Sequence, residues 1–144
     1  MLKHLYFTDV TQGTEIPSLV KGPVHLMDLV KYAGASGDFT EIHYDDAAAQ
    51  RNGMPHTILH GMLKTAFLAQ MVTQWIGEEG TLKSIEGQYR GLDFVDETIT
   101  CKGVVTKTET VEGQNLVHCD IWTENNRGQR TTKGNAVVIL PSRA

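Results

Sequence analysis

The sequence has few cysteines, no common metal-binding spacing and no long apolar run, and each shortage excludes a class of protein or site. Its 144 residues include only 2 cysteines and 4 prolines. So few cysteines exclude the disulfide framework that holds many small secreted domains together. The sequence also lacks the CxxC and HExxH spacings typical of zinc sites, so we expect no metal. No apolar run approaches the ~20 residues that a membrane-spanning helix needs.

The charge is low and of mixed sign. There are 13 basic against 17 acidic residues, a formal net charge of −4, and the scattered basic residues give no footprint for nucleic acid. The opening MLKHLYFTDVTQGTEIP lacks the apolar core of a signal peptide. We therefore expect a cytoplasmic protein that binds neither nucleic acid nor membrane, with Cys101 and Cys119 as reduced packing residues.

The length predicts about one domain, which we place at residues 1–144. The longest periodic segment, ILHGMLKTAFLAQMVTQWIG at residues 58–77, repeats apolar residues at intervals of three and four. It predicts a helix that begins near His60 and ends at Gly77. Because the segment is apolar over more than half of its circumference, we expect a sheet to wrap around it.

The rest of the first half is broken and partly helical. It contains predicted extended pieces at 14–20 and 23–26, a helix in MDLVKYAGASG closed by Gly34 and Gly37, and a short helix at 46–51. The second half has β-rich runs at 81–94, 96–111, 114–125 and 129–140. Four consecutive antiparallel strands with one buried face need a cover, and only the long helix is large enough. The predicted class is α+β, an antiparallel sheet wrapped round a long central helix.

One stretch, YAGASGDFTEIHYDD at residues 32–46, carries the chemistry. It places Asp38 and His43 five residues apart, directly after a Gly-Ala-Ser-Gly breaker. In the simplest interpretation, Asp38 caps the turn and the neighbouring residues are ordinary polar loop residues. A histidine with an unperturbed pKa of ~6.5 beside a carboxylate can also move protons near neutral pH.

The following LHGML offers a second group. If the long helix begins near His60, the N–H of Gly61 lies in its first turn, where amides have no partner within the helix and the helix dipole is positive. Such a donor can stabilise an oxyanion, although a merely tolerated glycine explains the residue equally well. Together, Asp38, His43 and Gly61 suit the addition of water to, or its elimination from, a carbon chain next to a thioester carbonyl.

These segments resemble the signature of the MaoC-like dehydratases, the (R)-specific enoyl-thioester hydratase family. The likeness is carried by YAGASGDFTEIHYDD and ILHGML. It implies a hotdog fold, catalytic Asp38 and His43, an oxyanion N–H from Gly61 and a substrate contact at Met62. The other matching positions are expected to support the site: Tyr32, Ser36, Asp45 and His60. We expect Tyr32 and Ser36 to position the turn and His60 to form hydrogen bonds near the helix start.

The chain departs from the family pattern at one point. Thr40-Glu41 stands where the family usually has Asn-Pro. The missing proline makes the loop more flexible, Thr40 can replace part of the Asn hydrogen bonding, and Glu41 adds a negative charge. We interpret this as a difference between subfamilies and not as a loss of activity.

The leading hypothesis is a lyase that interconverts trans-2-enoyl and (R)-3-hydroxyacyl thioesters in fatty-acid metabolism. The alternatives are a hotdog acyl thioesterase and a non-catalytic acyl-thioester-binding subunit of a heteromeric dehydratase. We expect no cofactor beyond the coenzyme A or phosphopantetheine that the substrate carries. A homodimer or higher oligomer is expected, and a heterodimer with a related subunit is the alternative. The phosphates of the carrier could meet Arg51, Lys64 and Arg90, although a solvated face explains these residues equally well.

Overall fold

The computed structural model describes residues 4–144, which form five strands and three α-helices. The strands are β1 (Glu15–Lys21), β2 (Thr81–Tyr89), β3 (Ile99–Val111), β4 (Gln114–Asn125) and β5 (Arg130–Ile139). The helices are α1 (Leu26–Ser36), α2 (Asp46–Arg51) and α3 (Gly61–Ile76), with short 3₁₀ turns at Phe7–Asp9 and Glu41–His43. The expected domain at 1–144 includes residues 1–3, which lie outside the described residues, and it stays a prediction.

All five strands form one antiparallel sheet in the order β1-β3-β4-β5-β2. The prediction of an α+β fold with an antiparallel sheet is confirmed, but the expected run of four consecutive strands is incomplete. β1 adds a fifth strand beside β3, and β2 pairs with β5 instead of β3. Residues 90–98 therefore connect β2, at one edge of the sheet, with β3, which lies next to the opposite edge strand. This crossing segment lies against the residues that precede α3.

The sheet curls round α3, whose inner side is buried. Leu68, Met71 and Val72 are at most 1% exposed, and they share a core cluster with alternate residues of the central strands. Alternation puts every second side chain of a strand on one face, so the predicted inward sets of β3 and β4 are confirmed: Ile99, Cys101, Gly103 and Val105, with Val117, Cys119 and Ile121. The wrapping is not complete, because Met62 near the start of α3 is 61% exposed.

The first helix differs from its predicted bounds at both ends. The expected extended piece at 23–26 is one residue too long: His25 is extended, and α1 begins at Leu26. Asp28 Oδ2 accepts the His25 N–H at 2.8 Å, which satisfies a donor at the helix start. Gly34 lies inside α1, and only Gly37 ends it, with a left-handed φ of 77°. That conformation costs little in glycine.

Cys101 and Cys119 are free and buried, as expected. Burial raises the pKa of each thiol to about 12, because the charged thiolate is poorly solvated in an apolar core. Among residues 4–144, no helix has the length and apolar character that crossing a membrane requires.

Candidate active site

The loop between α1 and α2 turns the two predicted proton-handling side chains toward each other. Gly37 ends α1, and the 3₁₀ turn at Glu41–His43 returns His43 to the protein interior. Asp38 Oδ2 lies 3.7 Å from His43 Nε2; the Asp38 side chain is 47% exposed and that of His43 9%. The separation is too long for a direct hydrogen bond, and one water can bond to both atoms.

The imidazole of His43 is held in one tautomer. Its Nδ1 lies 2.8 Å from the main-chain oxygen of Ile58. Because a carbonyl oxygen can only accept, Nδ1 carries the proton and donates it. In the neutral ring, Nε2 therefore presents its lone pair toward Asp38. This is the arrangement that a general base requires.

The carboxylate of Asp38 uses its two oxygens differently. Oδ1 accepts from the Thr40 hydroxyl at 2.6 Å and from the Thr40 N–H at 3.2 Å, while Ser36 Oγ accepts the Asp38 N–H at 3.2 Å. The hydrogen bonds from Thr40, the side-chain one first, hold the pKa of Asp38 below its usual value, because they stabilise the charged form. Asp38 thus forms the turn through Oδ1 and leaves an ionised Oδ2 facing His43.

A Thr40→Val variant tests this division of roles. Valine keeps the shape but removes the hydroxyl donor, so the pKa of Asp38 should rise. If the proposal below is correct, both Asp38 and His43 must be unprotonated for activity, and protonation of Asp38 is the more acidic step in the acid limb of the pH profile of kcat/KM. This step should move to higher pH, with little change at pH 7. The measurement is a pH–rate series for both proteins. Thr73→Val is the control, since the Thr73 hydroxyl donates to carbonyl oxygens within α3. An unmoved acid limb would contradict the assignment.

His60 connects the loop to the start of α3. Its ring stacks on that of His43 with centroids 3.8 Å apart and planes inclined by 18°, and Tyr32 meets it edge-on at 4.8 Å. Its Nε2 donates to the main-chain oxygen of Asp38 at 3.2 Å. Burial lowers the pKa of His60, so the ring is neutral at pH 7. Its buried Nδ1 has no partner among the described residues.

Gly61 follows directly as the first residue of α3. Within residues 4–144 its N–H has no acceptor, as expected for the first turn of a helix. The ring of Tyr89 packs over its Cα: a Cβ at this position would lie 3.0 Å from Tyr89 Cε2. A side chain at this position would therefore require the Tyr89 ring to shift by a few tenths of an ångström. The adjacent His60 places this free amide next to the Asp38–His43 pair.

The remaining predicted residues lie at the edge of this group or outside it. Met62 is exposed, and its sulfur accepts from the Tyr89 hydroxyl at 3.2 Å. Asp45 instead caps α2, where its Oδ1 accepts from Ala47 N at 2.8 Å and from Ala48 N at 3.3 Å. Arg51 is exposed and 3.9 Å from the equally exposed Glu41.

Lys64 is buried, so the prediction that it could meet a phosphate is wrong. Its Nζ lies 2.8 Å from Asp93 Oδ2, with side-chain exposures of 3% and 0%. Asp93 Oδ1 also accepts from Asn125 at 2.9 Å, and Oδ2 accepts from Thr131. Asp93 belongs to the crossing segment, and its main-chain oxygen accepts the Leu59 N–H at 2.9 Å. The ion pair therefore fastens the start of α3 to the sheet.

Sequence reasoning missed the main-chain oxygen of Ile58 and the ring of Tyr89. A main-chain acceptor has no signature in a sequence. Tyr89 ends β2, 28 residues after Gly61 in the chain, and its position depends on the pairing of β2 with β5. Only the register of the sheet reveals it.

Three possible metal donors from Asp38, His43 and His60 lie within 4.8 Å of one another. The geometry does not suit one ion. The lone pairs of rings stacked 3.8 Å apart lie in two nearly parallel planes, whereas ligand nitrogens must converge on a zinc ion at about 2.0–2.1 Å. The expectation of a site without metal stays a prediction, and the geometry is consistent with it.

Comparison with known proteins identifies the family of this chain. Residues 10–127 match the family described as the MaoC like domain. The chain belongs to the MaoC-like dehydratases. The resemblance given by the 32–46 segment and ILHGML is thereby confirmed. A search of curated protein sequences finds no significant match.

Three solved structures share the fold. The (R)-hydratase from A. caviae involved in PHA biosynthesis is 23% identical with a TM-score of 0.82, over 92% of this chain and 98% of that one. R-hydratase PhaJ1 from Pseudomonas aeruginosa, in its unliganded form, is 20% identical with a TM-score of 0.85, over 97% of this chain and 88% of that one. The ChsH1–ChsH2 complex from Mycobacterium tuberculosis is 22% identical with a TM-score of 0.80, over 90% of this chain and 98% of that one. The predicted hotdog fold is confirmed.

Proposed function

We propose that this MaoC-like protein is a lyase that reversibly hydrates trans-2-enoyl thioesters to (R)-3-hydroxyacyl thioesters. The observation that carries the proposal is the 3.7 Å gap between Asp38 Oδ2 and His43 Nε2, beside the free amide of Gly61. The (R) configuration is taken from the names of the similar A. caviae and Pseudomonas proteins. The thioester would be that of coenzyme A or of a carrier protein, with no further cofactor.

In the hydration direction, a water bound between Asp38 and His43 loses a proton as its oxygen bonds to C3. The neutral His43 accepts that proton at Nε2, and the ionised Asp38 stabilises the resulting imidazolium. The π electrons of the C2–C3 bond move onto the thioester oxygen, where the N–H of Gly61 stabilises the negative charge. The pair then returns the proton to C2, so water supplies both added groups. Dehydration follows the same path in reverse.

The test is a spectroscopic assay of the purified protein. Crotonyl-CoA and longer enoyl-CoAs should lose the absorbance of the conjugated thioester, and the product should be the (R)-3-hydroxyacyl thioester by chiral chromatography. EDTA treatment should leave the rate unchanged. The proposal would be overturned if none of the enoyl-CoAs lost absorbance, or if the product had the (S) configuration. Release of free thiol without hydration would identify the thioesterase alternative instead.

Gly61→Ala should separate the amide from the rest of the site. The added Cβ would stand 3.0–3.1 Å from three atoms of the Tyr89 ring, so ring and helix start must shift. Because small misplacements near the reacting atoms are costly, we expect kcat to fall by roughly 10–100-fold. Tm should change little, since Tyr89 is 45% exposed and can move. The matched control is Gly34→Ala: Gly34 also lies in a helix but has open space around it. Equal effects of the two variants on kcat would contradict a special role for Gly61.

A non-catalytic role in a heteromer is the second candidate. The observation in its favour is the similarity to the ChsH1–ChsH2 complex, whose name shows two different subunits. The intact Asp38–His43 pair favours the enzyme, because a purely structural subunit needs neither group. Turnover by the isolated protein would decide for the lyase, and acyl-thioester binding without turnover would decide for the subunit.

We also propose a homodimer or higher oligomer. β2 is an outermost strand, and its outer edge pairs with no other strand within residues 4–144. An edge strand offers a row of main-chain donors and acceptors to a second copy. Sedimentation or light scattering would measure the oligomeric state, and a strictly monomeric active protein would refute this part.

A further inference from the structure

A cavity between α1 and α3 adjoins the candidate active site and is bordered by two lysines. Its volume is about 510 Å³, and most of its lining is apolar, including Pro23, Val24, Leu63 and Phe67. It begins beside the catalytic groups: Tyr32 lines it and contacts His60 edge-on, and Leu63 follows Gly61 by two residues. The cavity is therefore in position to receive the acyl part of a thioester whose carbonyl lies at Gly61.

The charges of the lining are unbalanced. The lining includes Lys21, Lys31 and Asp28, and Asp28 is engaged by the His25 N–H at the start of α1. Neither lysine has an ion-pair partner in the part of the chain that the structure describes. The ammonium of Lys21 instead lies 5.2 Å from the centroid of the Phe67 ring. Lys21 is partly buried and Lys31 is exposed. With Asp28 the three charged groups carry one net positive charge, so the edge of this mostly apolar cavity attracts an anion.

The spacing along α3 places that anion at the far end of the acyl group. Phe67 follows Gly61 by six residues, which is about 9 Å along a helix. Lys21 thus stands well away from the thioester carbonyl, at a distance that an acyl chain can span. On α1, Lys31 shares a face with Asp28 and Ala35, because residues three and four apart are neighbours on a helix.

We propose that the cavity selects acyl thioesters whose far end carries a carboxylate, bound by Lys21 and Lys31. This inference rests on the proposed hydratase function and names its substrate class: monothioesters of unsaturated dicarboxylic acids. A plain alkyl end would fill the apolar lining and leave both lysines without a counter-charge. A carboxylate end fills the same space and receives two charge-assisted hydrogen bonds.

The experiment compares matched trans-2-enoyl-CoA pairs that differ only at the far end, a methyl group against a carboxylate, over a series of chain lengths. At the best length, the carboxylate substrate should have a kcat/KM about 10–100-fold above its methyl partner. Lys21→Met and Lys31→Met should each remove most of this preference, because methionine keeps the apolar stem and removes the cation. Lys83→Met, on the exposed side of β2, should retain it.

Each result separates this inference from the proposed function. Hydration of both series at equal rates would overturn the carboxylate preference and leave the hydratase standing. Hydration of neither series would overturn both. The lysines could alternatively bind the phosphates of coenzyme A. Since both members of a pair carry the same coenzyme, an equal loss for both in the lysine variants would assign the cations to the phosphates and refute the carboxylate site.

Discussion

An Asp38→Asn variant is expected to lose about 10²- to 10⁴-fold in kcat for hydration of an enoyl thioester while keeping its fold. The amide oxygen of asparagine can still accept from Thr40, so the turn after α1 is preserved. The amide nitrogen then faces His43, where it can neither accept a hydrogen bond from the water nor stabilise an imidazolium. The measurements are kcat by loss of the enoyl absorbance and Tm by thermal unfolding.

Asp45→Asn is the matched control in the same loop. Asparagine is as good a helix cap as aspartate, so α2 should remain and kcat should stay near that of the unmodified protein. His43→Gln should resemble Asp38→Asn in its loss. The double variant should cost little more than the larger single loss, because groups that act on one water act as a unit. Full activity in Asp38→Asn, or strictly multiplicative losses, would refute a shared water.

The second large effect concerns stability. Lys64→Met should lower the free energy of unfolding by about 3–5 kcal/mol, because it leaves the carboxylate of Asp93 buried without its cation. Both side chains are almost fully enclosed, at 3% and 0% exposure. Chemical denaturation at pH 7 measures the loss directly. The exposed Lys83→Met should change the same quantity by less than about 0.5 kcal/mol.

The double variant Lys64→Met/Asp93→Asn distinguishes the buried charge from lost packing. Asparagine is neutral and can still accept a hydrogen bond from Thr131, so the unpaired charge disappears. We expect a substantial part of the lost stability to return. If the double variant is less stable than Lys64→Met alone, the hydrogen bonds of Asp93 matter more than its ion pair with Lys64.

The sequence predicted the local elements well where a period or a breaker marked them. α3 and α2 lie where the apolar repeat and Asn52-Gly53 placed them. Gly34 failed as a helix end, because one glycine inside α1 costs only about 1 kcal/mol and the buried Leu29 and Ala33 outweigh it. The order of the strands could not be predicted, since alternation identifies a buried face but not the neighbouring strand.

In the candidate site, too, some residues could be predicted from local sequence and others could not. Asp38, His43 and Gly61 could be named because their residue types and spacing suit the proposed chemistry. The acceptor that fixes the His43 tautomer is the main-chain oxygen of Ile58, and any residue could supply it. The role of Lys64 was misjudged because a charged side chain is normally solvated. Its partner Asp93 lies 29 residues away, and only the crossing segment brings the two together.

The enclosed thiols of Cys101 and Cys119 have a practical consequence. A disulfide reagent that reports free thiol by colour reacts with thiolates, and these two side chains form thiolates only far above neutral pH. The folded protein should therefore give almost no colour of its own. Any thiol that appears during turnover can be attributed to coenzyme A leaving its acyl group, and the reagent will also count unfolded chains once the core opens.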